Sequence, residues 1–225
     1  MKRAFFILVL TALRARADSL SEVLARMDQA ARAFRSLSAD VHKTDYIDVL
    51  SDTQVEDATF KMKKQAKSGV VLLAEFRGRD PRKMRIAGEK IEYYHPKANS
   101  VEIYDTRKYT KSVDQILLVG FGVSSADLQK KYRIVVGGSE TIRGVKTTRL
   151  DLTPKSAEAK KIFNMIQLWI PENKGNPIQE KRLLGKENKD YNLFEFSNEQ
   201  INPALSDSDF ELNLLPGVKR IVAGK

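Results

Sequence analysis

Apolar and polar positions alternate between residues 69 and 105 with the two-residue period of half-buried β-strands. The pattern predicts four short strands, over residues 69–76, 83–87, 91–94 and 101–104. The turns between them are short, so only antiparallel pairing fits, because a parallel crossover needs about a dozen residues or more. We therefore expect a β-meander with one apolar face at the centre of this protein.

A helix and two strands are predicted before the meander. Residues 19–37 carry apolar side chains at spacings of three and four, the pattern of an amphipathic helix, and Ser19 with Glu22 fits a capping box. Strands are expected over residues 38–50 and 54–67. The apolar side of the helix must pack against another element, and we expect the apolar face of the sheet to be its partner.

The pattern after the meander is also mainly that of strands. An apolar segment over residues 113–122 is a second candidate to cover the apolar face, and a helix is expected over residues 154–165. The chain shows no internal repeat or linker, so we expect one domain that is mainly β with covering helices. Further strands are predicted over residues 132–136, 145–152, 167–171, 177–184 and 192–197, and residues 210–218 are expected to close the sheet.

The first residues of the chain have the order of a secretory signal peptide. Two basic residues at positions 2–3 precede a short apolar run over residues 4–13, and small residues follow at positions 15 and 17. The run is too short to span a bilayer, and the alternative is a buried N-terminal helix. We expect cleavage after Ala17, which leaves a single domain over residues 18–225 in an envelope compartment.

The composition agrees with one globular domain. The chain has 225 residues, of which 42% are hydrophobic and 30% are charged, enough for a sizeable core. Its formal net charge of +10 suggests nucleic acid or an anionic membrane as a partner. Loss of the signal peptide, however, removes four basic residues and no acidic one, which lowers the charge to +6. The most basic strand, over residues 54–67, has few aromatic residues, so an edge strand guarded by lysines is expected there rather than a nucleic-acid site.

The residue types that most catalytic and metal sites need are scarce. There is no cysteine, and the two histidines, His42 and His95, cannot form a histidine-rich metal site. Gly120 and Gly122 lack the strand, lysine and third glycine of a nucleotide-binding loop. We therefore expect a protein that is not an enzyme, that has no cofactor and that does not bind nucleic acid.

Several short motifs occur in a recognisable order after the signal peptide. They are FRGRDPRKMRI at 76–86, GEKIEYYHP at 88–96, LWIP at 168–171, GNP at 175–177, FEL at 210–212 and LPGV at 215–218. In this order, and over nearly the whole remaining chain, the sequence resembles the LolA family, the periplasmic carriers of outer-membrane lipoproteins.

This resemblance implies a strongly curved, incompletely closed antiparallel β-barrel whose helices enclose an apolar cavity. It implies a monomeric periplasmic carrier that binds the acyl chains of lipoproteins or lipids and shuttles them toward the outer membrane. Its partners would be an inner-membrane lipoprotein-releasing transporter and an outer-membrane acceptor. The alternatives are a lipid- or lipoprotein-sensing regulatory module of similar fold, and a hydrolase whose catalytic residues the sequence does not mark.

Candidate site residues follow from the alternation within the strands and from the resemblance. The family's lid arginine precedes a proline, and Arg79, just before Asp80 and Pro81, is the nearest equivalent; the alternative is a turn arginine paired with Asp80. A ligand cavity and a filled core of the same residues both fit the pattern. The side chains expected to line the cavity are Leu72, Ala74, Phe76, Met84, Ile86, Ile91, Tyr93, Val101, Ile103, Leu168 and Ile170.

Overall fold

A computed structural model describes residues 18–65, 69–105, 119–185 and 187–223. The predicted signal peptide and most of the apolar segment at 113–122 lie outside the described residues. Among the residues that are described, no helix is both long enough and apolar enough to cross a membrane.

Strands dominate the described part of the chain, and the predicted meander is confirmed as β3 to β6. The strands are β1 (Ser36–Ile47), β2 (Asp52–Gln65), β3 (Gly69–Phe76), β4 (Arg82–Ala87), β5 (Lys90–His95), β6 (Ser100–Asp105), β7 (Tyr132–Ile142), β8 (Val145–Pro154), β9 (Met165–Pro171), β10 (Gln179–Leu184), β11 (Asp190–Ile201) and β12 (Lys219–Ala223). The helices are α1 (Leu20–Ala33), α2 (Ser125–Lys131) and α3 (Ala157–Lys160).

All of these strands belong to one sheet, in the order β12-β6-β5-β4-β3-β2-β1-β11-β10-β9-β8-β7. Neighbouring strands pair antiparallel except β12, which lies parallel to β6. β1 pairs with β11, so the meander from β1 to β6 and the meander from β7 to β11 form one continuous surface. β7 and β12 are the two edges of the sheet. The protein is therefore an incompletely closed β-barrel with covering helices, and the predicted fold class is confirmed.

The helix α1 begins at the predicted capping box but ends earlier than predicted, at Ala33. Phe34, the C-cap residue, already has an extended backbone. The Asn202 side chain accepts a hydrogen bond from the Arg35 N–H at 2.7 Å and donates one to the Ala33 carbonyl at 2.9 Å. Asn202 thus satisfies backbone groups at the helix end, and the next residues join β1 instead of extending the helix.

The predicted helix over residues 154–165 is mostly wrong. β8 continues through Pro154, and only Ala157–Lys160 are helical. The Lys155 N–H donates to a carbonyl of α2 at 2.9 Å, and the Asn164 N–H donates to a carbonyl of β10 at 2.8 Å. These neighbours bind backbone groups at both ends of the segment, so tertiary contacts override the local helix signal.

One face of the sheet is covered by α1 and by the residues that precede α2, and we name it the inner face. Leu72 on β3 is the register neighbour of Met62 on β2 and of Ile86 on β4. These residues form an inner cluster with Phe34 and Phe121. A second inner cluster joins β8 and β9 to the apolar side of α1. The amphipathic helix therefore packs where the sequence predicts, against the apolar face of the sheet.

The C-terminal residues cover part of the opposite face, which we name the outer face. Phe210 and Leu212 pack against Val71 and Leu73 of β3. After this contact the chain pairs as β12 with the edge of β6. The tail was expected to close the sheet; instead it covers one face and adds a parallel edge strand.

The Asp209 carboxylate in this tail makes stability depend on pH. Hydrogen bonds from Lys61, at 2.9 Å, and from Ser206 lower the pKa of Asp209 from 3.8 to about 2. Because the pKa is lower in the folded state, this contribution is complete above about pH 4 and is lost as the pH falls toward about 2. We expect the melting temperature of Asp209→Asn to decline less than that of the wild type over this range, as followed by circular dichroism. Parallel declines of the two proteins would contradict this role.

Candidate functional site

The inner face encloses a small cavity between β1–β3 and β10–β11. Its volume is about 40 Å³, room for about three water molecules, whereas ligand pockets usually measure about 300–1,000 Å³. This cavity is therefore much smaller than a ligand pocket. The cavity is lined by seven apolar side chains and one charged pair, which are Leu37, Phe60, Met62, Leu72, Phe121, Phe194, Phe196, Glu180 and Arg182.

Phe121 is the lining residue that lies outside the sheet. Its ring centroid is 6.3 Å from that of Phe34 and 5.3 Å from that of Phe196, the latter edge to face. The side chain is buried, with 3% of its surface exposed. Aromatic contacts of this kind stabilise the packed state, so Phe121 contributes to the packing of the inner face.

Two glycines place Phe121 in this position. Gly120 and Gly122 have φ angles of +87° and +72°, values that favour glycine over residues with a Cβ. A Cβ on Gly122 would lie 2.6 Å from the ring of Phe34, and one on Gly120 would lie 2.6 Å from Pro177. The sequence around these glycines does not match a nucleotide-binding loop. The structure shows that they allow the backbone to approach Phe34 and Pro177 closely.

An ion pair forms part of the cavity wall. Glu180 and Arg182 lie two residues apart on β10 and thus on the same face, and Arg182 Nε donates to Glu180 Oε1 at 2.6 Å. The Arg182 guanidinium lies 4.7 Å from the centroid of the Phe194 ring. Only 5% of the Glu180 side chain is exposed, and this burial raises its pKa. Burial and the nearby Glu180 carboxylate also raise the pKa of Tyr132 to about 12, so its phenol stays neutral.

A row of polar side chains continues from this pair across the inner face. Arg182 is the register neighbour of Asn192 on β11. The Asn192 side-chain amide donates to Asp45 on β1 at 2.5 Å, and Asp45 also binds the Lys43 ammonium. These contacts join β11 to β1, and Arg182 on β10 lies next to them in the sheet.

The row then passes from Lys43 to β2 and β4. Lys43 Nζ lies 3.7 Å from Glu56, and Arg82 binds the same carboxylate with both terminal nitrogens, at 2.7 Å for Nη2. The hydrogen bonds from Arg82 lower the pKa of Glu56. The Arg82 guanidinium also lies 4.2 Å from the centroid of the Phe76 ring. We name the whole row the polar belt; its members are Glu180, Arg182, Asn192, Asp45, Lys43, Glu56 and Arg82.

None of the belt residues is predicted from the sequence as a site residue, although the sequence contains a signal for them. The charged belt residues of β1, β2 and β4 have the same phase as buried apolar residues of their strands. Lys43 follows the buried Val41, Glu56 precedes the buried Ala58, and Arg82 precedes Met84, each two positions away. A charge at a core-facing position of a strand is costly unless it is paired. Such positions therefore indicate a polar feature on an otherwise apolar face.

The structure divides the residues predicted to line the cavity into separate groups. Leu168 and Ile170 belong to the inner cluster under α1, and Tyr93 is the register neighbour of Met84 on the inner face. Among the eleven predicted residues, Leu72 is the one that lines the 40 Å³ cavity. The members that belong to the inner cluster around β1–β4 are Leu72, Ala74, Phe76, Met84, Ile86 and Ile91.

Val101 and Ile103 lie on the outer face, away from the other predicted lining residues. Val101 is the register neighbour of Tyr94, and both pack in the cluster that contains Phe210. Ile103 is the register neighbour of Glu92 and packs against the same cluster. Alternation in β6 allows two phases, and a shift by one residue exchanges the faces. The sequence pattern does not distinguish the two phases, so the prediction placed these residues on the wrong side of the sheet.

Arg79, the predicted lid and release residue, is exposed in the turn between β3 and β4. Its carbonyl oxygen accepts a hydrogen bond from Lys97 Nζ at 2.6 Å. The arginine of this motif that reaches the inner face is Arg82, three residues later. The role of Arg79 in release stays a prediction.

Comparison with solved structures identifies the fold. The chain matches a crystal structure of MucB with a TM-score of 0.53 and 12% identity, over 90% of this chain and 64% of that one. It matches an uncharacterized conserved protein from Thermus thermophilus with a TM-score of 0.54 and 10% identity, over 90% and 98% of the two chains. A LolA superfamily protein from Nitrosomonas europaea is matched at a TM-score of 0.43 and 11% identity, over 88% and 100%. The two structures matched at TM-scores above 0.5 share the architecture of this chain, so the fold class predicted from the sequence is confirmed.

These likenesses concern the fold alone. The chain spans slightly less than two thirds of the MucB chain that it matches. No protein-family model and no curated protein matches the sequence. The features of this chain that bear on function are its inner face and the polar belt.

Proposed function

We propose that this protein is a periplasmic carrier that binds the acyl chains of lipids or lipoproteins on its inner face and takes them toward the outer membrane. It acts by binding and release and is not an enzyme. The observation that supports this function is the combination, on one face, of an apolar cavity with a polar belt at its wall. An amphiphile needs both, because its chain is stabilised by apolar burial and its head by polar contacts.

Apolar burial provides the affinity in this proposal. Each methylene group that leaves water contributes roughly 0.8 kcal/mol. A chain bound in the cavity needs the space that the Phe121 ring occupies, so binding must displace this ring. Phe121 lies in a glycine-flanked segment outside the strands. Its displacement therefore leaves the pairing of the sheet intact, and the carrier has a closed state and an open state.

The remaining parts of the carrier cycle follow from the family resemblance. The signal peptide would deliver the protein to the periplasm. An inner-membrane lipoprotein-releasing transporter would load it, and an outer-membrane acceptor would unload it. Arg79, at the exposed turn beside Lys97, would act in release.

Binding of a fluorescent long-chain fatty-acyl probe tests the proposal. We expect saturable binding to the wild-type protein and a loss of affinity of about tenfold or more in Leu72→Glu, because a charge would be buried against the chain. Leu73→Glu is the matched control. Leu72 and Leu73 are equally buried neighbours, 2% and 4% exposed, but Leu73 packs on the outer face.

The two variants separate a binding defect from a folding defect. Circular dichroism melting should show that both are destabilised to a similar extent, whereas only Leu72→Glu should lose the probe. The absence of saturable binding to the wild type, or equal binding by the two variants, would remove the carrier function.

The alternative function, a lipid- or lipoprotein-sensing regulatory module, uses the same ligand site. It differs in the fate of the ligand. A carrier gives up its labelled acyl ligand to acceptor vesicles or to a lipoprotein acceptor, whereas a sensor changes its affinity for a protein partner when the ligand binds. A transfer assay with the loaded protein therefore distinguishes the two functions.

A further inference from the structure

We propose that the polar belt is a headgroup site and that it selects an amphiphile with a zwitterionic head, one that carries both an ammonium and a phosphate group. This inference rests on the proposed function, since the acyl chain of the same ligand would occupy the inner cavity. It adds the identity of the head and the residues that bind it.

The first support is the continuity of the belt with the cavity. Glu180 and Arg182 line the cavity and also form one end of the belt. From Arg182 the belt continues across β11 and β1 to Arg82 on β4. A chain that enters the cavity beside this pair therefore places its head on the belt.

The second support is the order of charges within the belt. Its charged members are three carboxylates and three cations, so its formal charge is zero. Each cation contacts a carboxylate: Arg182 binds Glu180, Lys43 binds Asp45, and Arg82 binds Glu56. A head with a single charge would meet as many repulsive groups as attractive ones.

A zwitterionic head fits this order of charges. Lys43 and Glu56 are register neighbours on adjacent strands, and adjacent strands lie about 4.8 Å apart. The two charges of one compact head can therefore meet both signs at once. Its phosphate would bind Lys43 or Arg82, and its ammonium would bind Asp45 or Glu56.

The third support is the burial of the belt. The exposed fraction of its charged side chains ranges from 5% for Glu180 to 26% for Asp45. Charges that are partly removed from water interact more strongly with a bound charge than surface charges do. Burying charges also costs free energy of desolvation, and apolar side chains at the same positions would avoid this cost. A role in ligand selection accounts for a charged row of this extent on the ligand-binding side of the sheet.

Competition against the fluorescent acyl probe tests the selection. The competitors are lysophosphatidylethanolamine, which is zwitterionic, and lysophosphatidylglycerol, which is anionic, with the same acyl chain and below their micelle concentrations. We expect the wild type to bind the zwitterionic lipid about tenfold more tightly, the effect of one additional charge-assisted contact. In the double variant Asp45→Asn/Glu56→Gln the belt becomes net positive, so the preference should reverse toward the anionic lipid.

The matched control is Glu75→Gln/Glu92→Gln. These two carboxylates pair with Lys83 and Arg85, and their phase places them on the outer face. This variant has the same change in net charge, and it should keep the wild-type preference. If the Asp45→Asn/Glu56→Gln variant does not fold, as judged by melting, the single change Glu56→Gln should shift the preference in the same direction.

The possible results separate the two proposals. If the wild type binds both lysolipids equally, or the belt variant keeps the wild-type preference, the headgroup inference is wrong while the acyl carrier stands. If the wild type binds neither the lysolipids nor the acyl probe, the carrier function fails and the headgroup inference fails with it.

Discussion

Replacing Phe121 with alanine is expected to destabilise the fold and to tighten the binding of an acyl chain. The ring is 3% exposed and packs against Phe34 and Phe196. Truncating a buried phenylalanine costs about 3–5 kcal/mol in the free energy of unfolding, which lowers the melting temperature by roughly 6–20 °C in a chain of this size. The same change enlarges the 40 Å³ cavity, so a ligand no longer has to displace the ring.

Phe210→Ala is the control for this prediction. Phe210 is 2% exposed and packs on the outer face, so its truncation should cost a similar free energy without changing the inner face. Calorimetry and titration with the fluorescent acyl probe measure the two effects separately. If Phe121→Ala binds the probe no more tightly than Phe210→Ala, Phe121 does not close a ligand site.

Replacing Arg182 with methionine is expected to cost about 3–5 kcal/mol, because it leaves the buried Glu180 carboxylate without the cation that pairs with it. Glu180→Leu should cost less, because the Arg182 side chain that it leaves behind is 20% exposed, against 5% for Glu180. The double variant Glu180→Leu/Arg182→Met should be near the wild type or more stable, since it removes the desolvation of both charges. Denaturant unfolding of the four proteins gives the coupling energy of the pair.

The pH dependence of Arg182→Met provides an independent check. Burial raises the pKa of Glu180 above its usual value of 4.5, and Arg182 opposes this shift. Without Arg182 the pKa rises further, so the folded state binds a proton that the unfolded state releases. Stability of the variant should therefore fall as the pH rises above about 4.5 and recover on acidification. A loss of stability in Arg182→Met that is constant between pH 4 and pH 8 would show that Glu180 is not the source of the cost.

Arg85→Met is the control for the buried pair. Arg85 binds Glu92 at 2.7 Å with 34% of its side chain exposed. The Glu92 carboxylate is 15% exposed, against 5% for Glu180, so it keeps more contact with water and Arg85→Met should cost less than Arg182→Met. A loss as large as that of Arg182→Met would mean that burial does not distinguish the two pairs.

Local patterns in the sequence are enough to predict the strands, the amphipathic helix and the class of the fold. Apolar alternation over residues 69–105 and short turns permit only an antiparallel meander, which the structure contains as β3 to β6. The capping box at Ser19 marks the start of α1 correctly. These features are encoded by residues that are close in sequence, so their physical cause is visible without the fold.

The ends of elements and the faces of strands depend on contacts between distant parts of the chain. α1 ends where Asn202 binds the junction with β1, and the segment after Pro154 is held by neighbouring backbone groups instead of forming a long helix. Val101 and Ile103 face outward because β6 pairs with β5 in one of two possible phases. Alternation specifies which residues share a face, but pairing specifies which face that is.

The candidate site depends most strongly on the tertiary structure. Lys43, Glu56 and Arg82 are far apart in the sequence. They form a row only because β1 pairs with β2 and because β3 pairs with both β2 and β4. Phe121 reaches the inner face through backbone conformations of Gly120 and Gly122 that composition alone does not reveal. The sequence indicates that one face of the sheet is apolar. Pairing across six strands, from β10 to β4, puts a charged belt on that face. Each of its charges has a partner either on another strand or two residues away on the same strand.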